Sequence, residues 1–117
     1  MAVTHTFAGL AVAEYTTAHD WYVRLLGREA DMFPHDTECV WHVTPTSSIY
    51  LVQDPDRAGS GLLTVGLDDL DADERRLRAA GVAFSVDDGG SAPRRVIVSD
   101  LDGNRLSFFQ DPAHSGG

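Results

Sequence analysis

Apolar and polar residues alternate in short runs along this chain, and twice the alternation gives way to a three-to-four spacing that closes on a glycine. Residues 6–13 alternate and are rich in small and apolar side chains, which predicts a strand. Thr16 or Thr17 then caps a predicted helix running to about Leu26, with Trp21, Tyr22, Leu25 and Leu26 as its buried stripe and Gly27 as its stop. Three shorter strands are expected near 28–33, 38–44 and 48–53, followed by a turn-rich linker over 54–60. The same order recurs: a strand over 62–67, a helix over about 70–80 stopped by Gly81, and strands near 82–86, 94–99 and 105–109. Asp100-Leu-Asp-Gly-Asn104 reads as a hairpin turn, because Gly and Asn tolerate the left-handed backbone of tight turns. Gly89-Gly-Ser-Ala-Pro93 reads as a flexible loop able to cover a ligand, and 112–117 as a disordered tail.

The recurrence is visible in the residues themselves. The segment from Leu10 to Gly27 lies over that from Val65 to Gly81 with one gap, each being a short apolar strand, an acidic turn, an amphipathic helix and a closing glycine. A repeat of about 55 residues is one supersecondary unit used twice. The expected class is therefore α+β: two βαβββ units, about 5–53 and 61–110, in a single domain over 1–117. The helices lie on one face of an antiparallel-rich sheet that curves around a cleft.

Composition narrows the function. The net charge of −9, with no lysine and scattered arginines, argues against nucleic acid and favours a cationic ligand over an anionic one. No apolar run approaches the roughly 20 residues that span a bilayer, and no signal-like segment opens the chain, so a cytoplasmic location without membrane contact is expected. The single cysteine, Cys39, forms no internal disulfide and reads as a buried packing residue. The acidic run Asp68, Asp69, Asp71, Asp73 and Glu74 lacks calcium-loop spacing and suits the positive end of a helix.

Taken in order, the Leu10/Val12 strand, Trp21-Tyr22 with Leu26-Gly27, Val65-Gly-Leu-Asp-Asp-Leu-Asp-Ala72 and Asp100-Leu-Asp-Gly-Asn-Arg-Leu106 make the chain resemble the vicinal oxygen chelate superfamily. That group includes glyoxalase I, extradiol dioxygenases, fosfomycin-modifying enzymes and bleomycin-binding resistance proteins. The resemblance covers nearly the whole chain and implies paired βαβββ units around a cavity, usually in a homodimer. It also implies four equivalent strand positions at which metal-using members hold an ion with His and Glu. Here those positions fall on Phe7, Tyr50, Leu62 and Ser107, so the resemblance implies a member without metal or other cofactor.

Side chains two apart on a strand share a face, which groups Phe7 with Gly9, Ser48 with Tyr50, Leu62 with Thr64 and Gly66, and Ser107 with Phe109. The opposite faces carry Leu10, Val12, Leu63, Val65, Leu67, Leu106 and Phe108 as a core. The expected ligand-binding set is Phe7, Gly9, Trp41, Tyr50, Leu62, Ser107 and Phe109, a surface suited to stacking an aromatic compound. The leading expectation is a metal-free, small-molecule-binding homodimer akin to antibiotic resistance proteins, acting by sequestration without catalytic residues. A second is a lyase, isomerase, cyclase or dioxygenase-type enzyme using His42 with Glu38, or a displaced metal site built from His42, His35, Asp36 or Glu38. His5 shares the phase of Phe7 and can line the cavity mouth, whereas His19 is placed on a solvated helix surface. A third is a structural dimer whose own side chains fill the cavity.

Overall fold

The alternating run at the start becomes β1 (Thr6–Val12), followed by α1 (Tyr15–Leu26), β2 (Met32–His35), β3 (Glu38–Thr44) and β4 (Ser47–Gln53). The second series is β5 (Leu62–Leu67), α2 (Leu70–Ala79), β6 (Ser85–Asp87), β7 (Arg95–Ser99) and β8 (Arg105–Gln110). This computed structural model describes residues 1–90 and 93–114. Two four-stranded sheets result, in the orders β1-β4-β3-β2 and β5-β8-β7-β6. In each, the first strand runs parallel to the fourth and the remaining pairs are antiparallel. The βαβββ expectation is met in both halves.

Three boundaries move. The strands expected over 28–33 and 82–86 begin later, at Met32 and Ser85. Arg28 and Asp31 instead form an ion pair at 2.9 Å, and the Arg28 carbonyl accepts the Trp41 indole N–H. Residues Pro112–His114 form a 3-10 turn where disorder was expected. Ser91 and Ala92 of the expected covering loop, and 115–117 of the expected disordered tail, lie outside the described residues.

Helix α1 starts at Tyr15, with Glu14 at its N-cap, so Thr16 and Thr17 fall inside the first turn and do not cap it. The Tyr15 N–H donates to Gln53 Oε1 at 3.0 Å, so the cap comes from the end of β4. The second unit repeats the device: the Leu70 N–H donates to Gln110 Oε1 at 2.9 Å, from the end of β8. Asp69 adds a conventional cap by accepting the Ala72 N–H. Gly27 ends α1 at φ 79°, a conformation that costs any residue with a Cβ.

In the first unit, Leu10, Val12, Cys39, Trp41, Ile49 and Leu51 are buried together with Ala18, Trp21, Tyr22 and Leu25 of α1. In the second, Val96, Val98, Leu106 and Phe108 are buried with Leu70, Leu77 and Val82. Each fully buried large side chain contributes about 1.5–3 kcal/mol relative to exposure, so these two layers carry most of the stability.

The turn joining β7 to β8, Asp100–Asn104, clusters with the first unit, although its neighbours in sequence belong to the second. Asp100 is its anchor. One carboxylate oxygen accepts the Tyr22 hydroxyl at 2.7 Å and Asn104 Nδ2 at 2.8 Å; the other accepts the Asp102 and Asn104 N–H groups at 2.9 Å. Asn104, fully buried, also donates to the Ala11 carbonyl and accepts the Gly61 N–H. Burial and the adjacent Asp100 carboxylate push the Tyr22 phenol far above its ordinary pKa, so it remains a donor.

Candidate functional site

The face of the first sheet turned away from α1 is set by register. Phe7 pairs with Ser48, Gly9 with Tyr50 and Ala11 with Val52, while His42 pairs with Ser48 and Val40 with Tyr50. Phe7 is 58% exposed, a large apolar ring left open to solvent. The hydroxyl end of the Tyr50 ring reaches over Gly9, and any Cβ at position 9 would collide with it. Gly9 is therefore the residue that lets an aromatic lie against the sheet.

The same face carries a polar cluster. Ser48 Oγ lies 2.8 Å from His5 Nε2 and 2.8 Å from His42 Nδ1. The His5 ring stacks on Phe7 at 4.5 Å between centroids and meets His42 edge-on at 6.3 Å. Both backbone polar groups of His42 are held: its N–H donates to Asp31 Oδ2 at 2.7 Å and its carbonyl accepts Arg28 Nη2 at 2.6 Å. The His42 N–H, followed by Arg28, holds the Asp31 carboxyl below its ordinary pKa. Glu38, expected as His42's acid–base partner, instead sits near His35 at 3.7 Å. Among the described residues, no three His, Cys, Asp or Glu side chains are grouped as a metal site.

On the corresponding face of the second sheet, Leu62 is 82% exposed, Ser107 pairs with Thr64, and the Phe109 ring lies over Gly66, 3.1 Å from where a Cβ would stand. The two helix-capping glutamines give the correspondence between halves. Phe7 stands five residues before the end of β1 and Leu62 five before the end of β5; Tyr50 and Ser107 each stand three before their capping glutamine. Asp54 and Asp111, which follow those glutamines, donate their N–H groups to Val12 and Leu67 in the same way. Phe7 is thus equivalent to Leu62, and Tyr50 to Ser107. Two offer no lone pair and two offer neutral hydroxyls, a donor set that does not fit a divalent transition ion.

Trp41 departs from its expected place. It pairs with Ile49, not with Tyr50's phase, and so points to the helix-bearing face. It is fully buried, its indole N–H donates to the Arg28 carbonyl at 3.0 Å, and its ring centroid lies 6.3 Å from that of Tyr22. It is a core residue and cannot reach a ligand on the open face. His19 departs as well: its ring nitrogens contact Glu29 at 2.6 Å and Asp20 at 3.2 Å, and its ring lies near those of Tyr15, Phe33 and Trp41. Burial pulls its pKa down, but the hydrogen bonds to Glu29 and Asp20 outweigh that and leave it raised. Cys39 is buried, and burial pushes its thiol pKa up.

Ser48 is the residue that sequence reasoning passed over. It was placed on the correct face beside Tyr50, but the signal for its role was joint: His5 sits two residues before Phe7, and His42 lies across the short β3–β4 turn.

No family model matches the chain, and no curated protein sequence does. Solved structures do match. A glyoxalase / bleomycin resistance protein from Catenulispora acidiphila DSM 44928 is 34% identical, with a TM-score of 0.87, over 92% of this chain and 98% of that one. TnmS3, an antibiotic-binding protein from Streptomyces sp. CB03234, is 29% identical, with a TM-score of 0.74, over 94% of this chain and 98% of that one. A bleomycin resistance determinant encoded on transposon Tn5 shares the fold at 17% identity, with a TM-score of 0.73, over 91% of this chain and 96% of that one.

Proposed function

Since the chain belongs to the glyoxalase/bleomycin resistance protein family of the vicinal oxygen chelate superfamily, we propose that it binds an aromatic, antibiotic-like small molecule and acts by sequestration. The observation that carries this reading is that Phe7, Leu62, Tyr50 and Ser107, which stand where the resemblance puts metal donors, offer no imidazole or carboxylate, while Phe7 is left exposed and the Tyr50 ring closes over Gly9. Phe7, Gly9 and Tyr50 of the first sheet, and Leu62, Ser107 and Phe109 of the second, are the proposed contacts. Ring stacking there contributes about 0.5–1.5 kcal/mol beyond area burial. The net charge of −9 favours a cationic ligand, through cation–π contact and a raised association rate. We further propose a cytoplasmic homodimer that uses no metal, which light scattering and elemental analysis of the purified protein would test.

Calorimetric titration with bleomycin-type and planar aromatic antibiotics tests the binding. Phe7→Ala should weaken it about tenfold, from the lost stacking and buried area together. Absence of binding across the panel, or Phe7→Ala and Tyr50→Ala variants that bind like the parent protein, would refute the reading.

A further inference from the structure

We propose that His5, Ser48 and His42 form a proton relay that catalyses enolisation of a small carbonyl compound on the open face of the first sheet, an activity independent of the sequestration proposed above. The argument is a count of hydrogens. A serine hydroxyl carries one hydrogen and two lone pairs. Ser48 is 2% exposed, and its hydroxyl makes two hydrogen bonds, to His5 Nε2 and His42 Nδ1. If both imidazoles donated to it, the hydroxyl hydrogen would be left buried without an acceptor, a loss that proteins avoid. The neutral pair therefore has two satisfied states.

In the first state, Ser48 donates to His5 Nε2 and His42 Nδ1–H donates to Ser48. His5 then carries its hydrogen on Nδ1, and His42 Nε2 is bare. In the second state, every hydrogen has moved one place along: His5 Nε2–H donates to Ser48, Ser48 donates to His42 Nδ1, and His42 Nε2 carries the remaining hydrogen. Each state presents one donor and one acceptor to a ligand, and passage between them moves a proton along the chain without separating charge.

That passage performs a balanced reaction. His42 Nε2 takes a proton from the carbon beside a carbonyl, and the C–H electron pair becomes the C=C bond. The C=O π pair moves to oxygen, which takes the His5 Nδ1 proton. The His42 Nδ1 proton passes to Ser48, whose own proton passes to His5 Nε2. The products are the enol and the second state of the relay, and ketonisation restores the first. Imidazole is suited to both halves of the transfer near neutral pH.

The surroundings hold the groups in place. Asp31 and Arg28 grip the His42 backbone on both sides, and Phe7 supports the His5 ring by stacking. The two rings are 6.3 Å apart at 80°, so one small molecule can touch both. Phe7 beside them and the net charge of −9 favour an uncharged aryl-substituted carbonyl compound such as an aryl ketone.

Two measurements test the relay. Nitrogen-15 NMR of the imidazoles at a pH where both are neutral should find the hydrogen on the same-named nitrogen in His5 and His42, both Nδ1 or both Nε2. His5 as the Nε2–H form together with His42 as the Nδ1–H form would overturn the proposal. Exchange of the phenylacetone α-hydrogens in deuterium oxide should then run about tenfold or more faster than with the same concentration of free imidazole. Ser48→Ala should fall to the imidazole rate while Ser48→Thr, which keeps the hydroxyl, retains most of the acceleration; thermal melts establish that both variants fold. Exchange no faster than imidazole, or unchanged in Ser48→Ala, would overturn the relay. Antibiotic titrations on the same samples report separately on sequestration, so the two ideas can fail independently.

Discussion

Replacing Asp100 with alanine removes the acceptor on which the 100–104 turn is built. Two buried side-chain donors lose a charged partner, the Tyr22 hydroxyl at 2.7 Å and Asn104 Nδ2 at 2.8 Å. Each orphaned donor costs about 1–3 kcal/mol. The Asp102 and Asn104 N–H groups also lose their acceptor, and water entering the vacated space recovers part of that loss. The expected destabilisation is about 3–5 kcal/mol, near the upper end for a single substitution. In a domain of this size that lowers the melting temperature by about 10–20 °C. Urea unfolding followed by the fluorescence of Trp21 and Trp41, both packed near Tyr22, gives the value directly. Tyr22→Phe, which removes one donor and leaves the others satisfied, should cost about 1–2 kcal/mol. The double variant should be less destabilised than the sum of the singles, because the orphaned hydroxyl is then gone. An Asp100→Ala loss under about 1 kcal/mol, or strict additivity, would refute the idea that this carboxylate organises the turn.

Two further outcomes follow from named contacts. His19 has a folded pKa above its ordinary value, so its contribution is fully present below the ordinary histidine pKa and fades as pH rises through the folded value. The parent protein should lose more stability than His19→Gln between pH 6 and 8.5, measured as urea midpoints, and equal losses would contradict the assignment. Gln53→Ala and Gln110→Ala each remove a distant helix cap and should each cost about 1 kcal/mol in urea unfolding, and a negligible effect from either would show that the cap is idle.

The strand phases were legible because alternation survives where one face is buried, as the pairings of Leu10 with Leu51 and Val65 with Phe108 show. The helix stop at Gly27 was legible because only a left-handed residue closes that turn cheaply. Trp41 was misplaced because its phase relative to Tyr50 depends on the turn between β3 and β4, where the register shifts between His42 and Thr44. The caps from Gln53 and Gln110 were invisible because each joins residues about 40 apart, and a glutamine at a strand end announces nothing locally. Asp100 read correctly as a turn residue, but its grip on Tyr22 spans 78 positions and needed the fold. The correspondence of Phe7 with Leu62, and of Tyr50 with Ser107, was readable because the two halves repeat the same order of strand, helix and closing glycine.

The attachment of Asp100–Asn104 to the first unit also bears on how the molecule is made. A ribosome that has released residues 1–61 has produced every strand and helix of that unit, yet Tyr22, Ala11 and Gly61 still await the partners that Asp100 and Asn104 bring. The nascent first half therefore waits on the second, and a gene split after Gly61 would yield two fragments that mature only when both are present.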